Sequence, residues 1–209
     1  MFEILKAAYK NDPASRGLEP VLYPGVHALF IHKYLVHPLK RFGFGFVARA
    51  ISQFARFLTG IEIHPSVKIG RGVFFDHGIG IVLGETTELG DNCILFHNVT
   101  LGGTGKIGGK RHPTVGNNVL IGANATILGP CVIGDNCKIG AESVLVDRNI
   151  PPNCTVVGAP GRIVKQDGKR VNRVPDKIVA ALIVRDYEEK KEREKASKKS
   201  QTKEKRRKN

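Results

Sequence analysis

The stretch "VGNNVLIGANATILGPCVIGDNCKIGAESVL", Val115 to Leu145, decides the fold. An aliphatic residue returns in it at every sixth position: Val115, Ile121, Ile127, Ile133, Ile139 and Leu145. The series continues at Val157 and Ile163, broken only by Pro151, and glycine follows directly at Gly116, Gly122, Gly134, Gly140 and Gly158. A period of six matches neither the 3.6 of an amphipathic helix nor the alternation of a half-buried strand. It fits a strand of a few residues and a corner, repeated, with one side chain per repeat pointing inward.

The same phase runs upstream through Ile63, Ile69 and Phe75, slips by two residues, and resumes at Leu83, Leu89, Leu95 and Leu101. The fourteen positions from Leu101 to Val115 read as two hexads with two extra residues. In this pattern the chain resembles the hexapeptide-repeat proteins. The resemblance implies a mainly β fold, a left-handed parallel β-helix of triangular eighteen-residue coils, an exception to right-handed crossovers. Neighbouring coils should stack about 4.8 Å apart, the ordinary strand spacing. The β-helix is expected over residues 61–165, with an excursion at 102–114.

The flanks read differently. Residues 1–60 carry helical patterns at Phe2–Lys10, Val26–Val36 and Phe42–Leu58, punctuated by Asp12-Pro13 and Tyr23-Pro24-Gly25. Ala50, Ile51, Phe54, Phe57 and Leu58 recur at helical spacing and are expected to pack against the β-helix. In residues 166–194, "KQDGKRVNRV" reads as a loop, and Pro175 as the first residue of a C-terminal helix with Asp176 in its first turn.

Composition narrows the class. Aromatics are 7% of 209 residues with no Trp, while glycines number 24, a profile of short strands and tight turns rather than a helix bundle. The longest apolar stretch, "VLYPGVHALFI", ends after 11 residues at His32, whereas a membrane span needs about 18 to 20. "MFEILKAAYKNDP" lacks a signal-peptide pattern, so a soluble cytoplasmic protein is expected. The net charge is +14, but residues 195–209 hold eight Lys/Arg and one Glu, so half the excess sits in one segment without apolar periodicity. That segment reads as a solvated, disordered tail, and no nucleic-acid partner is expected. Cys93, Cys131, Cys137 and Cys154 form no CxxC pair or zinc spacing and read as buried free thiols in a reducing compartment.

A regular repeat is a scaffold, so chemistry is sought where regularity fails. The slip contains Asp76-His77, and Glu62 lies fifteen residues earlier, close to one coil away, where a carboxylate could orient the imidazole of a general base. A lone histidine is more often structural, but His77 has no apolar position to fill in the repeat. The second failure, "LGGTGKIGGKRHPT", is a glycine-rich loop ending in Arg111-His112, and an arginine there suits a two-point grip on a carboxylate. "IGA" recurs at Ile121-Gly122-Ala123 and Ile139-Gly140-Ala141; taken alone it is ordinary corner chemistry. His77, His97 and His112 are candidate metal ligands, but no two of them stand five residues apart, the spacing of two ligand histidines in the hexapeptide-fold carbonic anhydrase, and no metal is expected.

Four strings, "DPASRGLEPVLYPGVHAL", "GIEIHPSVKIGRGVFFDHGIGIVLGETTELGDN", "VTLGGTGKIGGKRHPTVG" and "VGAPGRIV", together resemble serine O-acetyltransferase from about Asp12 to Val164. The last is generic to hexapeptide acyltransferases, whereas "DHGIGIVLGET" and "LGGTGK…GKRHP" are specific to this enzyme. The resemblance implies acetyl transfer from acetyl-CoA to L-serine in cysteine biosynthesis. His77 would be the catalytic base, with Glu62 at an orienting position that holds Asp in long members. Asp12, Asp76, Arg111 and His112 would hold the amino acid, and Gly103, Thr104, Ala123 and Ala141 the acetyl-CoA groove. It also implies a homotrimer whose sites take His77 and His112 from adjacent chains. The sequence ends in "EKRRKN" rather than an Ile-terminated peptide, so a stable complex with cysteine synthase is not expected. Two rival readings are a hexapeptide-repeat O- or N-acetyltransferase acting on another hydroxyl or amine, and a non-catalytic module acting through the basic tail.

Overall fold

The computed structural model describes residues 1–105 and 108–178. Three parallel ladders form the faces of a β-helix. The first face stacks Glu62–Ile63, Val82–Leu83, Thr100–Gly102, Thr126–Leu128 and Val144–Val146. The second stacks Lys68–Ile69, Glu88–Leu89, Thr114–Val115 and Val132–Ile133. The third stacks Phe74–Phe75, Ile94–Leu95, Leu120–Ile121, Lys138–Ile139 and Cys154–Val157. Nearly every aliphatic of the six-residue series is buried, with Leu83, Leu95, Leu101, Ile121, Ile127 and Ile139 fully so.

Pairing registers show where coil length varies. Leu83 opposes Leu101, Val115 opposes Ile133 and Ile121 opposes Ile139, each eighteen residues apart. Phe75 opposes Leu95 at twenty, which places two extra residues in the corner holding His77. Leu89 opposes Val115 at twenty-six, so the excursion after Leu101 is one hexad lengthened by eight residues, not two hexads plus two. The phase also shifts at Pro151. Ile150 bridges Ile133, Val156 opposes Ile139, and both are buried while Val157 is exposed. Ile150 donates its N–H to Val132 and accepts from Gly134, a pairing that proline, lacking a donor, cannot complete. The inward place therefore moves back one residue.

The corner between the second and third faces carries an amide ladder. Asn92 Nδ2 donates to Asn118 Oδ1 at 3.3 Å, Asn118 to Asn136 at 3.2 Å, Asn136 to Asn153 at 3.1 Å, and Asn153 to Asp167 at 2.9 Å. All five residues have φ between 49° and 59°, the left-handed region that Asn and Asp enter more readily than other side chains. Gly72 lies below the ladder, where a Cβ would meet Asn92 Oδ1 at 2.4 Å.

Helices cover the N-terminal end: α1 (Phe2–Asn11), α2 (Pro24–Ile31), a π-helical turn His32–Val36, α3 (His37–Arg41) and α4 (Gly45–Thr59), which ends on Gly60 at φ 69°. The first coil has no coil beneath it, so its outward carbonyls need other partners. Ser52 Oγ donates to Ile63 O at 2.7 Å, and His32 Nε2 bonds Val67 O at 3.0 Å. Gly25 lies so close over Phe75 that a Cβ would meet its carbonyl oxygen at 2.4 Å. This need for close approach overturns the expected face of α4. Its buried stripe is Ala48, Ser52, Ala55 and Thr59, while Phe54, Phe57 and Leu58 are exposed, Phe57 at 84%.

At the other end, Arg162–Gln166 and Lys169–Arg173 form a hairpin antiparallel to Cys154–Val157, where a loop was expected. Asp176–Lys177 is a short strand against Arg148–Asn149, so no helix starts at Pro175. The rest of that expected helix and the basic segment 195–209 lie outside the described residues. The four cysteines are free and buried, and burial pushes the thiols of Cys93, Cys131 and Cys137 up to about 11.

Burial also pushes the His32 imidazole down to about 4. In the unfolded chain it would protonate near 6.5. Its contribution to stability is therefore whole above about pH 6.5 and erodes as pH falls towards 4, with a slope approaching about 1.4 kcal/mol per pH unit. His32→Gln retains an N–H for Val67 O and cannot titrate. Between pH 7 and 4.5 its melting temperature should fall less than that of the parent; equal falls would remove His32 from the acid response.

Candidate active site

The functional side chains occupy two corners that flank the first face. The corner from the third face to the first contains the two-residue lengthening. Asp76 ends the Phe74–Phe75 rung with its N–H on Leu95 O, and His77 follows at φ 59°, turned outward and exposed. Its Nε2 lies 3.8 Å from Asp76 Oδ1, and its ring meets His97 edge-on at 6.0 Å between centroids. Counting two residues on from the paired Phe75, Leu95, Ile121 and Ile139 gives His77, His97, Ala123 and Ala141. Both histidines and both small residues thus share one ridge, coil above coil.

Asp12, at the end of α1, is brought to the same corner. Its Oδ2 accepts from the Tyr23 hydroxyl at 2.6 Å and its Oδ1 from Ala14 N–H at 2.8 Å. The tyrosine hydrogen bond, helped by Ala14 and by the nearby His77, holds the carboxyl below its usual range. In turn Tyr23 is pushed up to about 12, chiefly by Asp12 and also by Asp76. The corner therefore presents two carboxylates beside an imidazole, a setting for an ammonium group next to a base. Tyr23 was legible in the sequence only as turn punctuation.

The corner from the first face to the second carries the eight-residue lengthening. Arg111 donates to Glu85 Oε2 at 2.7 Å, and the two border a cavity of about 430 Å³ with Lys40, Ser66, Lys68 and Thr86. His112 is buried behind Arg111 against Thr86, and burial, then Arg111 and Lys110, pushes it down to about 4. A Cβ at Gly84 would strike its ring at 2.0 Å, and one at Gly103 would meet Arg111 O at 3.2 Å. Both glycines allow the loop to lie flat on the coil. His64, its Nδ1 accepting from Ser66 N–H at 3.2 Å, adjoins Glu85 and is lowered mainly by burial.

Within one chain the structure gathers Asp12, Asp76 and His77, with Ala123 and Ala141 above them, at one corner. Arg111, His112, Gly103 and Thr104 belong to the other. Glu62 does not join His77 in the same chain. It lies on the first face opposite Val82, with its carboxylate 3.1 Å from Arg56 and 3.6 Å from Arg49. Arg49 acts electrostatically on His64, as Glu85 and Arg111 do, so Glu62 belongs on the Arg111 side. Within one chain His77 and His97 are neighbours, and His112 lies at the other corner.

The family model for the bacterial transferase hexapeptide (six repeats) matches residues 112–147. A serine acetyltransferase of Helicobacter pylori is 52% identical over 165 residues, which cover 78% of this chain and 95% of that protein. Among solved structures, the serine acetyltransferase of Neisseria gonorrhoeae superposes with a TM-score of 0.75 at 42% identity. That match covers 81% of this chain and 65% of the longer Neisseria chain. Soybean serine acetyltransferase complexed with serine gives a TM-score of 0.74 at 44% identity, over 78% of this chain and 67% of that one.

Proposed function

Because this chain belongs to the serine acetyltransferase family, we propose that it transfers the acetyl group of acetyl-CoA to the hydroxyl of L-serine, giving O-acetyl-L-serine and CoA for cysteine biosynthesis. His77 takes the proton from serine Oγ as that oxygen attacks the thioester carbonyl, then delivers it to the departing CoA sulfur. Asp12 and Asp76 receive the serine ammonium. Arg111 grips the carboxylate and His112 donates beside it. Acetyl-CoA runs along the small-residue ridge of Ala123 and Ala141, whose lack of bulk leaves a groove leading to His77, and under Gly103 and Thr104 of the loop. The four buried free thiols suit the reducing cytoplasm.

The observation that carries this reading is the split of the required groups between two corners of one prism. A base with its carboxylates at one edge and a carboxylate grip at another complete a site only when the edge of one chain meets the other edge of the next. Three such contacts close a ring, hence a homotrimer. Glu62 then reaches the His77 of the adjacent chain. Light scattering should give the mass of three chains, each 22.8 kDa. Co-refolding His77→Ala chains with Arg111→Ala chains should restore activity that neither variant has alone. A mixture as inactive as its components would place each site within a single chain.

The substrate is tested by thiol release from acetyl-CoA with L-serine against a panel of sugars and amines. Turnover confined to L-serine is expected, whereas preference for a sugar or amine would favour another acetyltransferase of this fold. Deleting residues 195–209 should leave turnover intact; its loss would assign the basic segment a part in the reaction.

A further inference from the structure

Thr86, a polar side chain outside the groups assigned above, hydrogen-bonds the end of the loop through its hydroxyl. Its Oγ1 accepts the N–H of Arg111 at 3.1 Å and the N–H of His112 at 3.1 Å, and lies 2.9 Å from His112 Nδ1. A hydroxyl has one proton and two lone pairs. With both lone pairs engaged by backbone donors, its proton goes to Nδ1. The Thr86 N–H also points at that nitrogen, at 3.2 Å. Two donors converge on Nδ1, so Nδ1 carries no proton and the imidazole proton sits on Nε2. The Thr86 carbonyl in turn accepts from the Lys110 ammonium.

We propose that Thr86 is the positioning residue of the substrate-binding loop, holding Arg111 and His112 in register and fixing His112 as a neutral Nε2–H donor. This rests on the reading that the loop holds the serine. A neutral donor can hydrogen-bond the substrate without adding a second full charge beside Arg111. The charged or titratable groups around His112 are Arg111, Lys110, Glu85 and His64, three of them cationic or able to become so. Its depressed basicity agrees with that setting.

Thr86→Val keeps the shape and removes the hydroxyl, stranding two backbone N–H groups. The Michaelis constant for serine should rise about tenfold or more while that for acetyl-CoA stays within about twofold, and Thr86→Ser should remain within about threefold of the parent for both. Serine kinetics within twofold of the parent in Thr86→Val would overturn the proposal. A second measurement needs no altered Thr86. In protein labelled with ¹⁵N-histidine, the His112 signals, identified by their loss in His112→Gln, should show a proton on Nε2 alone from pH 7.5 to about pH 5. A proton on Nδ1, or titration near the ordinary 6.5, would overturn it equally. If the unaltered protein fails to acetylate serine, the functional reading falls, and the spectrum still decides the role of Thr86.

Discussion

Replacing His77 with alanine should reduce acetyl transfer by about 10² to 10⁴ while leaving a folded assembly. The expected loss is large because serine Oγ is a poor nucleophile while protonated and the imidazole is the proposed group that removes that proton. The fold should tolerate the change because the ring is exposed at a corner and fills no place in the core. Its backbone lies at φ 59°, so alanine retains the left-handed strain and the stability cost is about 1 kcal/mol or less. Secondary structure and assembly mass should match the parent. Turnover within a few-fold of the parent would remove His77 from the mechanism.

Arg111→Lys should raise the Michaelis constant for serine at least about tenfold and leave that for acetyl-CoA nearly unchanged. Lysine keeps the charge but loses the planar fork that meets a carboxylate at two points. A charge-assisted hydrogen bond contributes about 1.5 to 3 kcal/mol, and each 1.4 kcal/mol is tenfold in affinity. Arg111 already holds one carboxylate, Glu85 at 2.7 Å, and that contact helps fix the guanidinium plane in the free chain. Steady-state kinetics varying each substrate separately would decide. A rise confined to acetyl-CoA would move Arg111 from the serine carboxylate to a phosphate of CoA.

The β-helix was legible because its signal is repeated: one inward aliphatic per hexad, each confirming the last. What escaped were local decisions between equally apolar choices. Ile150 and Val156 displaced Pro151 and Val157 from the interior because backbone pairing, which the hexad count does not register, excluded proline. In α4 the larger side chains were expected inward, yet the first coil's open carbonyls reward close approach, and small residues with a hydroxyl win. The candidate site was legible at His77, Arg111 and His112 because they stand at interruptions of the period. Tyr23 and Thr86 act through hydrogen bonds to residues 11 and 26 positions away, a relation no spacing rule marks. Glu62 was placed near His77 by counting coils; within one chain its position on the first face brings it to Arg49 and Arg56, and the proposed meeting with His77 is across to the adjacent chain.

The amide ladder bears on how such a prism can change length. Turns of twenty-six, eighteen and seventeen residues carry the chain from Asn92 to Asn118, then Asn136, then Asn153, and each arrives at the same seam. Extra residues are absorbed on the other two edges, where they swell outward into loops without breaking the amide row. An insertion at the seam would instead leave an amide above and one below without their partners. The seam is therefore the datum from which every turn is measured, and the two remaining edges are where novelty can accumulate.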